Sequence, residues 1–176
     1  DYSSELLPAL AKHYEIEVVV AQDRVDDPWV NRYAKIRNVD WLRNNIGDID
    51  RVLYQVGNSP FHQHMLPLLS EMPGTVVLHD FYLSGLKAWL EIQAGTNLAW
   101  TKALYEAHGY EAVRERYRDA EAAKRIYPVN LDVLQHAQGI IVHSNYSRAL
   151  AHQWYRSDLA GHWRVISLLR KPVGSV

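Results

Sequence analysis

Five groups of side chains able to do acid–base or binding chemistry stand directly after short apolar runs. They are Gln22-Asp23, Gly57-Asn58-Ser59-Pro60-Phe61-His62, His79-Asp80, His143-Ser144-Asn145 and Arg170-Lys171. His79-Asp80 is the sharpest pair. An imidazole that titrates near neutrality can donate to a hydroxyl, bind phosphate or act as a general base. Asp80 can orient that ring, or it can cap a helix starting at Phe81 or Tyr82 while His79 packs quietly. Gly57 allows a ligand to approach the backbone closely. Asn58 or Ser59 can cap a helix whose first turn holds Pro60, and free amides there can receive an anion or a hydroxyl. His62 and His64 are two residues apart and point in different directions on a helix, and no further ligand cluster stands nearby, so no metal site is expected. After His143, Ser144 or Asn145 can cap a helix with Arg148 in its first turn, where a cation opposes the helix dipole unless an anion meets it.

The elements that must position these groups alternate. Strand candidates are Ile16 to Ala21, Val52 to Val56, Thr75 to Leu78, Gly139 to Val142 and Val165 to Leu168, with a minor one near Lys35 to Arg37. The runs are short and mostly unalternated, as in strands buried on both faces. Helical spacing lies between them, over Leu6 to Ala11, from a cap at Asn38 toward Gly47, over His62 to Glu71, and from a cap at Asn145 over Tyr146 to Tyr155. Strand–helix alternation predicts an α/β fold, a parallel sheet flanked by helices. Residues 82–137 break the rhythm with helical stretches over Tyr82 to Gln93, Leu98 to His108, Tyr110 to Ile126 and Leu131 to His136 and no strand, more than one crossover requires. They are expected to form a helical insertion between the third and fourth of the five main strands. Its aromatics, Trp89, Trp100, Tyr105, Tyr110, Tyr117 and Tyr127 among them, are expected to make a small core, and Arg114 to Arg125 a solvated face of mixed sign. In an open parallel sheet, ligands bind beyond the carboxyl ends of the strands, so the polar groups are expected to converge on one rim.

Composition narrows the function. The chain has 176 residues with a net charge of -1, which argues against a nucleic-acid binder that neutralises many phosphates. It has no cysteine, which removes disulfides, thiolate nucleophiles and thiolate metal sites. No apolar run approaches the roughly 20 residues that span a bilayer. No glycine-rich dinucleotide loop, phosphate-binding P-loop, nucleophile elbow or zinc-protease motif occurs. A globular domain is expected, with the cytoplasm as its default compartment. Asp1 opens the chain within a helical pattern, so a segment is expected upstream, and Arg170 to Val176 reads either as a linker at a domain boundary or as a natural tail.

Four segments, taken in order, resemble the N-terminal, acceptor-side domain of GT-B glycosyltransferases, in particular the family 4 retaining enzymes. They are Asp1 to Leu10, Tyr54 to His62, Val76 to Phe81 and Ile140 to Arg148. The resemblance implies a Rossmann-like domain over 1–176, with its first strand and glycine-rich loop upstream and a nucleotide-sugar domain downstream. That second domain grips the donor with a basic pair and two Glu eight positions apart, and no two Glu of this chain have that spacing. The fragment is therefore expected to be half of an active site and not to turn over by itself. His79 would contact the donor sugar, with Asp80 supporting it. Gly57, Asn58 and His62 would line the acceptor side, and Ser144 and Arg148 would stand beside the cleft. The resemblance implies retention of configuration, no metal and no cofactor. Its partners would be a nucleotide-sugar and a glycan or lipid-linked acceptor. The insertion could shape acceptor choice or approach the inner face of a membrane. A non-catalytic α/β module docking proteins through 82–137 is the alternative. A small hydrolase using His79, Asp80 and another His lacks a nucleophile or metal motif.

Overall fold

The computed structural model describes residues 2–96, 98–155, 159 and 162–168. The chain forms two compact units, one built on the residues before Arg51 and the other on Arg51–Ile166. The first holds α1 (Tyr2–Leu10), β1 (Glu17–Val19), α2 (Pro28–Tyr33), β2 (Lys35–Arg37) and α3 (Val39–Asn45). Its two strands pair in parallel, Glu17 opposite Lys35 and Val19 opposite Arg37. The Glu17 carboxylate accepts from Arg37 Nε at 2.8 Å across that pair. Asp27 caps α2 by accepting from Val30 N, with Pro28 in the first turn, and Asn38 caps α3 by accepting from Trp41 N.

The second unit is a four-stranded parallel sheet in the order β3 (Leu53–Val56), β4 (Thr75–Leu78), β5 (Gly139–Val142), β6 (Trp163–Val165). Val76, Val77 and Leu78 of β4 are all at most 2% exposed, which explains the continuous apolar run: side chains on both faces are covered. Between β3 and β4 stand a 3-10 turn (Pro60–His62) and α4 (Met65–Glu71). Tyr54 ties β3 to α4, its hydroxyl donating to Leu68 O at 3.2 Å and Met72 O at 2.8 Å. Burial pushes that phenol up to about 12. Gly74 turns the chain into β4 where a Cβ would come within 2.5 Å of Val52 O, so no side chain is accommodated.

Between β4 and β5 the chain forms α5 (Ser84–Ile92), α6 (Ala99–His108), α7 (Tyr110–Arg118), α8 (Ala120–Ile126) and α9 (Leu131–His136). Ala88, Trp100, Leu104, Ala112, Ala123 and Val129 make a core of their own there. Trp100 is its anchor, while Tyr105, Tyr110 and Tyr117 are exposed. After β5, α10 (Asn145–Trp154) leads toward β6. Asn130, fully buried, donates to Phe81 O at 2.6 Å and accepts from the Tyr155 hydroxyl at 2.6 Å, joining the chain after β4 to the end of α10.

Several expectations shift. The five main strands do not share one sheet: β1 and β2 form a separate pair. The helix expected from His62 to Glu71 is a 3-10 turn followed by α4, and the one from Tyr110 to Ile126 is broken at Asp119. There φ is -151° and the carboxylate caps α8 by accepting from Ala122 N at 2.9 Å. The last strand starts earlier, at Trp163, because that indole is the side chain it buries while Val165 and Ile166 stay exposed. Ser144, not Asn145, holds the cap position of α10. Among the described residues no helix is long and apolar enough to cross a membrane.

Candidate functional site at the carboxyl ends of the strands

The sheet register itself gathers the polar groups. Gln55 lies opposite Val77, and Val77 opposite Ile141. Leu78 lies opposite Val56, and Val142 opposite Val165. One step further along, Gly57, His79, His143 and Ile166 form a row. The ladder bonds His79 N to Val56 O (2.8 Å) and Ile166 N to Val142 O (2.9 Å) carry the pairing into it. The next row holds Asn58, Asp80 and Ser144. Side chains alternate across a sheet, so His79 shares a face with Val77, and hence with Gln55 and His143 on the neighbouring strands.

That is where its bonds go. His79 Nε2 lies 2.8 Å from Gln55 Oε1, and His79 Nδ1 lies 3.1 Å from His143 Nε2. His143 Nδ1 in turn lies 3.0 Å from Ile166 O. The two rings are tilted by 31° with centroids 5.1 Å apart. Burial holds the His79 imidazole below its ordinary range; His143 and His62 act in the same direction and Asp80 against them.

Asp80 serves the second row. Its Oδ2 accepts from Asn58 N at 2.7 Å. The helix after it begins at Ser84, so Asp80 does not cap it. Asn58 does so from a distance: its Oδ1 accepts from Leu86 N at 2.8 Å, satisfying a free amide in the first turn of α5. Ser59 caps the 3-10 turn as expected. His62 turns back so that Nδ1 lies 2.9 Å from Gly57 O. Gly57 is required by this closeness, since a Cβ there would meet His62 Cε1 at 2.9 Å and Asp80 Oδ2 at 3.1 Å. Gly57, Asn58, His62, His79 and Asp80 are thus brought together, with His143 as a member.

Ser144 follows His143 in extended conformation and makes no side-chain cap bond to α10. Arg148 lies in the first turn of α10, and its Nε is buried without an acceptor among the described residues. His64 stands apart from His62, and burial, followed by the charge of His62, lowers its pKa. Among the described residues no group of three His, Asp or Glu could hold a metal ion. Gln22-Asp23 belongs to the other unit, and Arg170-Lys171 lies outside the described residues. Two hollows lie elsewhere. One of about 370 Å³, at the amino ends of the strands, is lined by Thr75, Gly139 and Arg164. The other, of about 470 Å³, lies between Leu66 and Leu90.

The residue that sequence reasoning missed is Gln55. Its signal was faint: a polar side chain in the middle of an apolar run, two places before Gly57. The arrangement offers a histidine pair that can hold or share a proton, beside backbone and carboxylate groups suited to hydroxyls. Comparison with protein-family models, curated proteins and solved structures finds no match for this chain.

Proposed function

We propose that this chain is the acceptor-side domain of a retaining, metal-independent glycosyltransferase of GT-B type, Rossmann-like in fold, with α5 to α9 as its helical insertion. The observation that carries the reading is the row Gly57–His79–His143 at the carboxyl rim of a parallel sheet, with Asn58 and Asp80 in the row above. Ligands of open parallel sheets bind at that rim. The order of the motif-bearing segments supports it further.

In this reading a nucleotide-sugar is gripped mainly by a second domain, and His79 meets the sugar from this side. Both His79 nitrogens already face partners, so a sugar hydroxyl reaches Nε2 by displacing the Gln55 amide. Gly57, Asn58 and His62 line the acceptor side. Asp80 supports the loop through Asn58 N and is not a nucleophile. Ser144 and Arg148 stand next along the chain after His143. The work is orientation of the two sugars and stabilisation of an oxocarbenium-like state and the departing diphosphate. The acceptor is a glycan or a lipid-linked sugar at the cytoplasmic face of a membrane.

The test is made in the full-length protein, supplied with uridine-, guanosine- and adenosine-diphosphate sugars and assayed for release of the nucleoside diphosphate. Release by the parent, lost in His79→Ala with the melting temperature unchanged, is the expected result. Undiminished release by His79→Ala would remove His79 from the mechanism, and no release from any donor by the parent would sink the reading.

A further inference from the structure

The bonds around His79 fix a count of hydrogens. Ile166 O can accept but not donate, so the His143 Nδ1 contact needs an N–H on His143. The contact between His143 Nε2 and His79 Nδ1 needs one hydrogen between the two nitrogens. With the Gln55 oxygen toward His79 Nε2, that contact needs a third. Two neutral imidazoles carry two ring N–H groups between them. The observed arrangement therefore fits a pair carrying one extra proton. A neutral pair keeps all three contacts by two linked changes: the Gln55 amide turns over so that its NH2 donates to His79 Nε2, and His79 becomes the Nδ1–H tautomer. A doubly charged pair would set two N–H groups against each other across 3.1 Å, and the contact would part.

We propose that His79 and His143 act as one acid–base unit holding a single shared proton exchanged with water, and that Gln55 and His143 are positioning residues that decide which nitrogen of His79 carries hydrogen. Among the described residues, the titratable groups that act on His79 besides His143 are His62, from the 3-10 turn after β3, and Asp80, its chain neighbour. His62 opposes a positive charge on His79 and Asp80 favours it. The proton count holds whatever ligand the rim takes. What it adds is a device: the unit offers an N–H at His79 Nε2 when singly charged and a lone pair when neutral, so the rim changes from donor to acceptor as one proton leaves.

The experiment is two-bond proton–nitrogen correlation of the imidazoles in nitrogen-15-labelled protein, titrated across roughly pH 5 to pH 8, where histidines ordinarily titrate. The expected result is two separated macroscopic steps shared by both rings. His79 should switch from the Nε2–H to the Nδ1–H tautomer as the upper step is passed. Gln55→Glu, which can only accept, should raise that step by roughly one to three pH units. Gln55→Leu, which cannot accept, should lower it, and His143→Phe should leave His79 titrating in one step. A structural role for Gln55 predicts no such opposite movement. Independent one-step titration of His79 and His143 in the parent protein, or a His79 that stays Nε2–H when neutral, overturns the proposal without any variant having to fold.

Discussion

Asn58 and Gly85 should be energetically coupled, and the sign of one substitution should depend on the other. Asn58 Oδ1 accepts from Leu86 N at 2.8 Å, in the first turn of α5. Replacing Asn58 with Ala leaves that amide to water, a loss of about 1 kcal/mol for a capping side chain. Gly85 is in the same turn, and a Cβ there would lie 2.9 Å from both the Asn58 Nδ2 and Oδ1 atoms. Asn58 is exposed, so its amide can swing away from an alanine at that position, and the cap is lost with it. Against that loss, Gly→Ala in a helix returns roughly 0.5–1 kcal/mol through reduced freedom of the unfolded chain. Gly85→Ala in the parent protein should therefore change stability by less than about 0.5 kcal/mol. In the Asn58→Ala background nothing is left to displace, and the same substitution should stabilise by roughly 0.5–1 kcal/mol. The coupling is then about 1 kcal/mol, or roughly 2–4 °C in melting temperature for a protein of this size. Urea unfolding of the four proteins measures it. An equal effect of Gly85→Ala in both backgrounds would refute the remote cap, and with it the placement of Asn58 over α5.

His108 packs against Tyr127, Trp154 and Tyr155, with ring centroids 5.0 to 5.9 Å away, and burial lowers its pKa to about 4. An unfolded chain takes up a proton there near the ordinary 6.5 and the folded one near 4, so protonation favours unfolding across that window. Stability should fall as pH drops from 6.5 toward 4, and His108→Phe should flatten the melting-temperature profile there; a slope unchanged by the substitution counts against a neutral, buried ring. Trp100 is 1% exposed at the centre of the α5–α8 core, so Trp100→Ala should cost about 3–5 kcal/mol, read as a loss of roughly 6–20 °C in melting temperature by circular dichroism.

Three strands of the main sheet were legible as short apolar runs: Thr75–Leu78 is the clearest because it is covered on both faces, while β3 and β5 alternate buried with less buried positions. What the runs do not encode is pairing. Nothing local to Glu17–Val19 or Lys35–Arg37 says that these strands pair with each other in a sheet of their own. Helix boundaries failed where a side chain competes with the helix. Asp119 fits the interior of the Tyr110–Ile126 pattern by charge, yet its carboxylate accepts from Ala122 N in the following turn and the helix restarts. Asp27-Pro28 carried the start signal of α2, but six residues are too few for apolar periodicity to register. The exposed Tyr105, Tyr110 and Tyr117 looked no different in sequence from the buried Trp100, since apolar content does not tell which face of α6 or α7 meets the core.

The site separates what adjacency in sequence suggests from what a sheet enforces. His79 and Asp80 are neighbours in the chain, and a carboxylate beside an imidazole invites the inference that one orients the other. Both follow a β-strand directly, and consecutive residues there point to opposite faces. Asp80 is therefore carried away from the ring and toward the loop after β3, where it meets Asn58 N. The groups that can orient His79 must come from positions in phase with it on the strands alongside, and they do: Gln55 from β3 and His143 after β5. Both positions follow once the register 55–77–141 is known, and neither is evident before it. Period two thus excludes the adjacent partner from sequence, whereas naming the true ones requires the strand pairing, which for His143 spans the whole helical segment between β4 and β5.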